Sequence, residues 1–168
     1  MAFYETGSGV GKGREQGFSL IELMVVVAVT ATLATLAAPS FSTFIASQRV
    51  KSVAYDLVSG LLLARSEALK RNQDVVVVPT TASEGWGGGW QVVANKVGGG
   101  TDTISTQTAI SGITFGSALF VAPTSIVYSG SSGRPATVSK FQLTGGTTLK
   151  CVKVDISGVI TSVPGVCT

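Results

Sequence analysis

The longest apolar stretch of this chain runs from Phe18 to Ala38. It is interrupted only by Ser19, three threonines and one carboxylate, Glu22. A helix of that length can cross the roughly 30 Å hydrocarbon core of a bilayer. Pro39 follows, and a proline inside a helix removes a hydrogen bond and clashes with the preceding turn, so it kinks or breaks the helix. Apolar residues then recur at steps of three and four: Phe41, Phe44, Ile45, Val53, Ala54, Leu57, Val58, Leu61, Leu62, Ala68 and Leu69. This is one face of an amphipathic helix. Gln48, Arg49, Lys51, Asp56, Arg65, Lys70 and Arg71 lie mostly off the stripe, and Asn72 is a natural stop. The pattern predicts one helix from about 18 to 71, bent near Pro39.

Beyond Asp74 the period shortens. Val75 to Val78, ended by Pro79, predicts a buried strand. Trp86-Gly87-Gly88-Gly89-Trp90 predicts a turn, and Trp90 to Val93 the next strand. Residues 95–108, rich in Gly, Thr and Ser, predict a loop. Further strands are expected at Ile113–Val121, Ser125–Tyr128, Val138–Leu143, Leu149–Ile156 and Val159–Val163, separated by Gly, Ser and Pro clusters. Such short strands suggest an antiparallel meander or two small sheets, with the second half of the helix laid against them. The class is α+β, a helical stalk packed on a β head. Four segments result: a polar leader at 1–17, a membrane helix at 18–44, an amphipathic helix at 45–71 and a β-rich head at 72–168.

Composition adds modest constraints. The 168 residues allow one globular domain beyond the N-terminal segment. Charged residues make up 12 % and the net charge is +3, too little to argue nucleic-acid binding from charge alone. Loss of the leader removes Glu5, Lys12, Arg14 and Glu15, which leaves that balance unchanged. Lys12 and Arg14 precede the apolar run and Arg49 and Lys51 follow it, so the distribution of positive charge leaves its orientation open.

Catalytic patterns are missing. The triple glycines at 87–89 and 98–100 have neither the Lys-Ser/Thr of a phosphate loop nor its strand-to-helix setting, so turns are the simpler reading. A serine nucleophile needs a base. The chain has no His, and no Ser–Lys pair stands out. Glu67, Glu84, Asp74, Asp102 and Asp155 form no paired-carboxylate pattern. No enzyme activity, cofactor or metal is expected.

Glu22 is the informative exception. Asp near the centre of a membrane helix costs about 2.5–3.5 kcal/mol, less toward the ends, so an intramembrane carboxylate points to function. A secretory signal has a shorter apolar region with its cleavage site after it. Here Gly17-Phe18-Ser19-Leu20-Ile21-Glu22 puts the cleavage motif before the run; Ala37-Ala38-Pro39 would make a poor signal-peptidase site because of the proline. The segment resembles the type IV prepilin family. In that family a dedicated peptidase cuts between the Gly and the Phe and methylates the new N-terminus, and the Glu acts in assembly. Gly17, Phe18, Glu22 and Pro39 match the family's positions one by one. The resemblance implies the pilin fold, a leader in the cytoplasm, a single pass through the inner membrane with the head in the periplasm, and other pilins as partners.

Arg65 lies in Ala64-Arg65-Ser66-Glu67-Ala68, followed by a Val run. With Trp86 to Trp90, Gly133-Arg134 and the pair Cys151 and Cys167, this narrows the resemblance to the minor-pilin and pseudopilin branch of FimT, FimU and general-secretion protein H. Arg65 and Glu67 could equally sit on a solvated helix face. An exported head meets an oxidising compartment, so a Cys151–Cys167 bridge is expected over two buried thiols. Some members of the branch bind DNA through a C-terminal Gly-Arg-x-Arg. The corresponding stretch here is Gly158-Val159-Ile160-Thr161, without either arginine. The remaining cations that could contact DNA are Arg134, Lys140, Lys150 and Lys153. The resemblance therefore implies a structural filament subunit of a type IV pilus or type II secretion pseudopilus, with DNA capture as the alternative.

Overall fold

The computed structural model describes residues 17–96, 99–116 and 121–168, apart from the side chains of Ala38 and Pro39. The leader expected at 1–17 therefore lies outside the described residues except for Gly17. One helix, α1, runs Leu20–Arg71, and the chain divides into two compact units, one ending at Pro39 and the other Ser40–Thr168. Pro39, where a bend is expected, is the last residue of the first unit, and α1 continues through it.

In the first unit, no residue of Leu20–Ala37 is buried. Its three threonines are satisfied locally. Thr30 Oγ1 donates to the Val26 and Val27 carbonyls, Thr32 to Val29 and Thr35 to Thr32, all at 2.8–2.9 Å. These bonds let hydroxyls sit in an apolar helix without stranded polar groups.

In the second unit, α1 presents Val50, Val53, Ala54, Leu57, Leu61, Ala64 and Ala68 to the core. The stripe is rotated slightly from the expected one: Val50 and Ala64 join it, whereas Leu62 and Leu69 stay about half exposed. The helix ends as Asn72 implies. Asn72 takes a left-handed conformation (φ 50°), with Asn72 N bonded to the Leu69 carbonyl and Gln73 N to the Ala68 carbonyl. That is a Schellman closure with Asn in the place glycine usually takes.

Eight strands follow: β1 (Val75–Thr81), β2 (Gly85–Asn95), β3 (Thr101–Gln107), β4 (Thr114–Phe115), β5 (Ile126–Tyr128), β6 (Ser139–Gly145), β7 (Thr148–Val154) and β8 (Ile160–Pro164). They form two antiparallel four-stranded sheets, ordered β3-β2-β1-β5 and β4-β6-β7-β8. Val75, Val77, Val92 and Ala94 from the first sheet and Phe141, Leu143, Val152 and Val154 from the second share one core with the helix stripe. Trp86 joins the sheets, its ring edge-on to Phe141 at 4.7 Å, and Trp90 meets Phe115 at 6.2 Å.

Three expectations are corrected. Trp86 to Trp90 is not a turn but the start of β2; the hairpin bend lies earlier, with Thr81 opposite Gly85. Both tryptophans are buried, and two of the glycines between them admit close neighbours: a Cβ on Gly88 would meet the Thr81 and Glu84 side chains, and one on Gly89 would overlap the Gln107 carbonyl oxygen. The 95–108 loop contains β3, an edge strand whose Thr and Ser residues carry β-branched propensity but almost no apolar alternation; only Ile104 packs on the core. The strand expected at Ile113–Val121 shortens to β4, and its residues 117–120 lie outside the described ones.

Gly89 (φ 91°) and Gly99 (φ 99°) share a left-handed backbone, but only Gly89 is crowded. Gly99→Ala should cost about 1 kcal/mol from backbone strain, and Gly89→Ala clearly more, about 2–4 kcal/mol, because β3 must also move. Urea unfolding of the two variants checks this; equal losses would mean that the approach of β3 does not require glycine.

Candidate assembly site and head surface

The N-terminal motif is built on a helix cap. Gly17 and Phe18 precede α1 and are exposed. Ser19 is the cap residue: its Oγ accepts from Glu22 N at 3.2 Å and its carbonyl from Leu23 N at 3.1 Å. Glu22 is thus the third residue of the first turn, in the Ser-x-x-Glu spacing of a capping box, where a negative charge is favoured by the helix dipole. The sequence motif implies an intermolecular role for Glu22, and the same Ser-x-x-Glu spacing also marks the cap. Glu22 is the sole formal charge between Phe18 and Gln48.

In the head, Arg65 is not simply solvated. Its Nη1 donates to the Gly158 carbonyl at 2.6 Å, and a Cβ on Gly158 would come within 2.9 Å of the Arg65 Cζ and 3.0 Å of the Gly133 carbonyl. Arg65 therefore ties the β7–β8 turn to the helix, and Gly158 packs closely against the β5–β6 loop at Gly133. Tyr128 lies fully buried in the core, its hydroxyl without a partner, and burial pushes its pKa up to about 12. Glu67 accepts from Arg71 Nε at 2.8 Å, and Arg71 Nη1 reaches Asp102 on β3 at 2.6 Å. The hydrogen bond from Arg71 is the main cause holding both carboxyls below their usual range. Their contribution is therefore present at neutral pH and fades as acid protonates them, and at this exposed site salt screens it.

Of the four cations proposed from the sequence, only Lys140 and Lys153 are brought together. Lys140 and Lys153 stand opposite each other on β6 and β7, on the face that carries Gln142 and Cys151. Lys140 Nζ donates to the Thr168 carbonyl at 2.6 Å, and Lys153 pairs with Asp155 at 3.5 Å. Lys150 shares the opposite face with Val152 and Val154, and its Nζ lies 4.8 Å over the Tyr55 ring. Arg134 is in the β5–β6 loop. Val159 is exposed in the β7–β8 turn and Thr161 is in β8. Among the described residues no cluster of His, Cys, Asp or Glu is placed to hold a metal ion.

Residues 53–159, more than half of the chain, match the family described as Type II transport protein GspH. The chain belongs to the GspH family. Residues 12–38 match the prokaryotic N-terminal methylation motif, which covers Gly17, Phe18 and Glu22. No curated protein matches the sequence. Among solved structures the fold is similar to the type IV minor pilin FimU of Pseudomonas aeruginosa, with a TM-score of 0.58 and 17 % identity over 72 % of this chain and 92 % of that one. It is also similar to the minor pseudopilin EpsH from the type 2 secretion system of Vibrio cholerae, with a TM-score of 0.53 and 16 % identity over 69 % and 97 %. The fold is the pilin fold, and the GspH family is one of minor pilins and pseudopilins, structural subunits in type IV pilus or type II secretion assembly.

The disulfide of this GspH head is formed between Cys151 and Cys167. It works with Gln142, which sequence reading missed because a lone Gln in a strand carries no signal. Gln142 is 2 % exposed; its Nε2 donates to the Gly165 carbonyl at 3.2 Å and its Oε1 accepts from Cys167 N at 2.7 Å. Together they hold the C-terminal segment over the outer face of the second sheet. Closing a loop of about 15 residues is worth roughly 3 kcal/mol in the chain-entropy model. Replacing both cysteines by serine should lower unfolding free energy by about that amount while far-UV dichroism stays native, because the helix-packed face is untouched. An unchanged urea midpoint would show that Gln142 alone suffices.

Proposed function

We propose that this chain is a low-copy subunit of an inner-membrane-assembled filament, held in the membrane by Leu20–Ala37 before assembly and packed through the same helix afterwards. One observation supports this reading above the others: an apolar helix end with no buried residue, capped by Ser19, with a single carboxylate in its first turn. Other pilins or pseudopilins of the same filament supply the missing packing. A prepilin peptidase/N-methyltransferase cuts after Gly17 and methylates Phe18, and the head faces the periplasm. Pro39, which has no N–H to offer the Thr35 carbonyl, gives the helix a point at which to yield as the subunit leaves the bilayer.

Glu22 then meets the positively charged amine of Phe18 on a neighbouring subunit. In a low dielectric the pairing offsets part of the cost of burying both charges, so it selects register more than it adds stability. DNA capture has less support. The phosphate backbone is bound by several cations along one surface, whereas here the lysines lie on two faces, the three lysines are engaged within the head, and positions 159 and 161 carry Val and Thr.

Gly17→Val should leave a full-length, membrane-held precursor, and N-terminal sequencing of the unaltered protein should begin at methylated Phe18. A mature start near Ser40 would mean an ordinary signal peptide and end the reading. Glu22→Ala should still be processed and stay in the membrane, since a charge is removed from lipid, but should enter filaments poorly. Normal incorporation, scored by sheared-filament immunoblotting, would defeat the register role.

A further inference from the structure

At the end of the head where α1 terminates, β5, the β5–β6 loop and the β7–β8 turn enclose an open pocket of about 540 Å³. Its walls combine Val127 (39 % exposed) and Ile156 (57 %) with the Ser129 and Ser157 side chains, Asp74 and Arg134. Its volume falls within the range of ligand pockets, though it is more polar in its lining and more open than most. Neither charge neutralises the other. Asp74 and Arg134 form no ion pair, and Arg134 is without any among the described residues, while Asp74 Oδ1 accepts from Gly130 N at 3.0 Å. The pocket also opens on an incomplete edge. β5 is the last strand of its sheet, and on its free side only Tyr128 is bridged, to Pro135.

We propose that this pocket is a docking site for an acidic peptide segment of another protein, with Arg134 taking the carboxylate. A peptide supplies each complement the pocket needs: a carboxylate for Arg134, an N–H for the second Asp74 oxygen, and an apolar side chain for Val127 and Ile156. Arg is well suited to the first task because its fork binds a carboxylate bidentately, and such anchors are enriched at protein interfaces. A polyphosphate fits poorly, since one cation beside a carboxylate gives a nucleic-acid backbone little to bind. The tether from Arg65 to Gly158 keeps the turn carrying Ile156 and Ser157 in place before anything binds. The inference does not rest on how the N-terminal segment is processed.

The test uses the full chain in detergent micelles, titrated with the acetylated, amidated tripeptide Val-Glu-Val and with its neutral isostere Val-Gln-Val. Binding is read by NMR from the Arg134 Nε–H and the Val127 and Ile156 methyl signals. The acidic peptide should shift all three. The neutral one should bind about tenfold more weakly or worse, the cost of losing a charge-assisted hydrogen bond. Arg134→Gln, an exposed substitution whose remaining spectrum should be unchanged, should abolish the difference between the peptides. Equal binding of both peptides to the unaltered chain, no shift at these signals, or a duplex oligonucleotide moving them where the acidic peptide does not, would each overturn the proposal.

Discussion

The head depends on how closely two sheets can approach one helix. The stripe of α1 that faces them alternates large and small: Val50, Val53 and Leu57 with Ala54, then Leu61 with Ala64 and Ala68, all buried. Burying each Val or Leu is worth about 1.5–3 kcal/mol, and the alanines contribute by taking no space. Gly60 marks the tightest point, since a Cβ there would stand 3.0 Å from the Trp90 Nε1. A side chain at Gly60 would push the Trp90 ring outward by a few tenths of an ångström. Trp90 and Trp86 in turn reach Phe115 and Phe141 of the second sheet. The two sheets are thus joined to each other largely through rings whose position the helix sets.

Much of this was legible in the sequence because it rests on periodicity. The helix from Leu20 to Arg71, the stop at Asn72 and six of the strands follow from apolar spacing and turn residues. What was not legible rests on contacts between distant segments. β3 is an edge strand, so it needs hydrogen bonds to β2 and only Ile104 as an apolar anchor; Thr and Ser at the other positions look the same as a loop. The glycines at 87–89 look like a turn because glycine usually marks one, yet Gly88 and Gly89 let Thr81, Glu84 and Gln107 come close. Arg65 and Gln142 look like surface residues, and their partners are carbonyls or amides far along the chain, which no local pattern announces. At the N-terminus the Gly-Phe-x-x-x-Glu motif was readable at once, and the Ser19 cap could have been read from the same six residues.

The cap changes what Glu22 means physically. A carboxylate in a first helical turn is stabilised by the unpaired amides and the dipole there, with or without a partner subunit. The cost of holding Glu22 in lipid is therefore lower than at mid-helix, which is compatible with a monomer waiting in the membrane. In the proposed assembly, a neighbouring amine would then meet a charge already partly compensated by its own helix.

The β7–β8 turn shows a related economy. DNA-binding members of the resembling branch place two arginines after a glycine there; this chain keeps the glycine alone. Gly158 is held by its carbonyl to Arg65 and has no room for a side chain against that guanidinium and the Gly133 carbonyl. The turn is therefore fixed from behind by the helix, and from within by Asp155 and Ser157, whose side chains accept from Ser157 N and Val159 N. With Val159 and Thr161 outside, the same rigid turn presents Ile156 and Val159, both more than half exposed, in place of cations. A preset turn loses little entropy on binding, and its exposed groups decide the partner. Arginines would select phosphate, whereas exposed aliphatic side chains, with Ile156 sharing the pocket of Arg134, suit a protein partner.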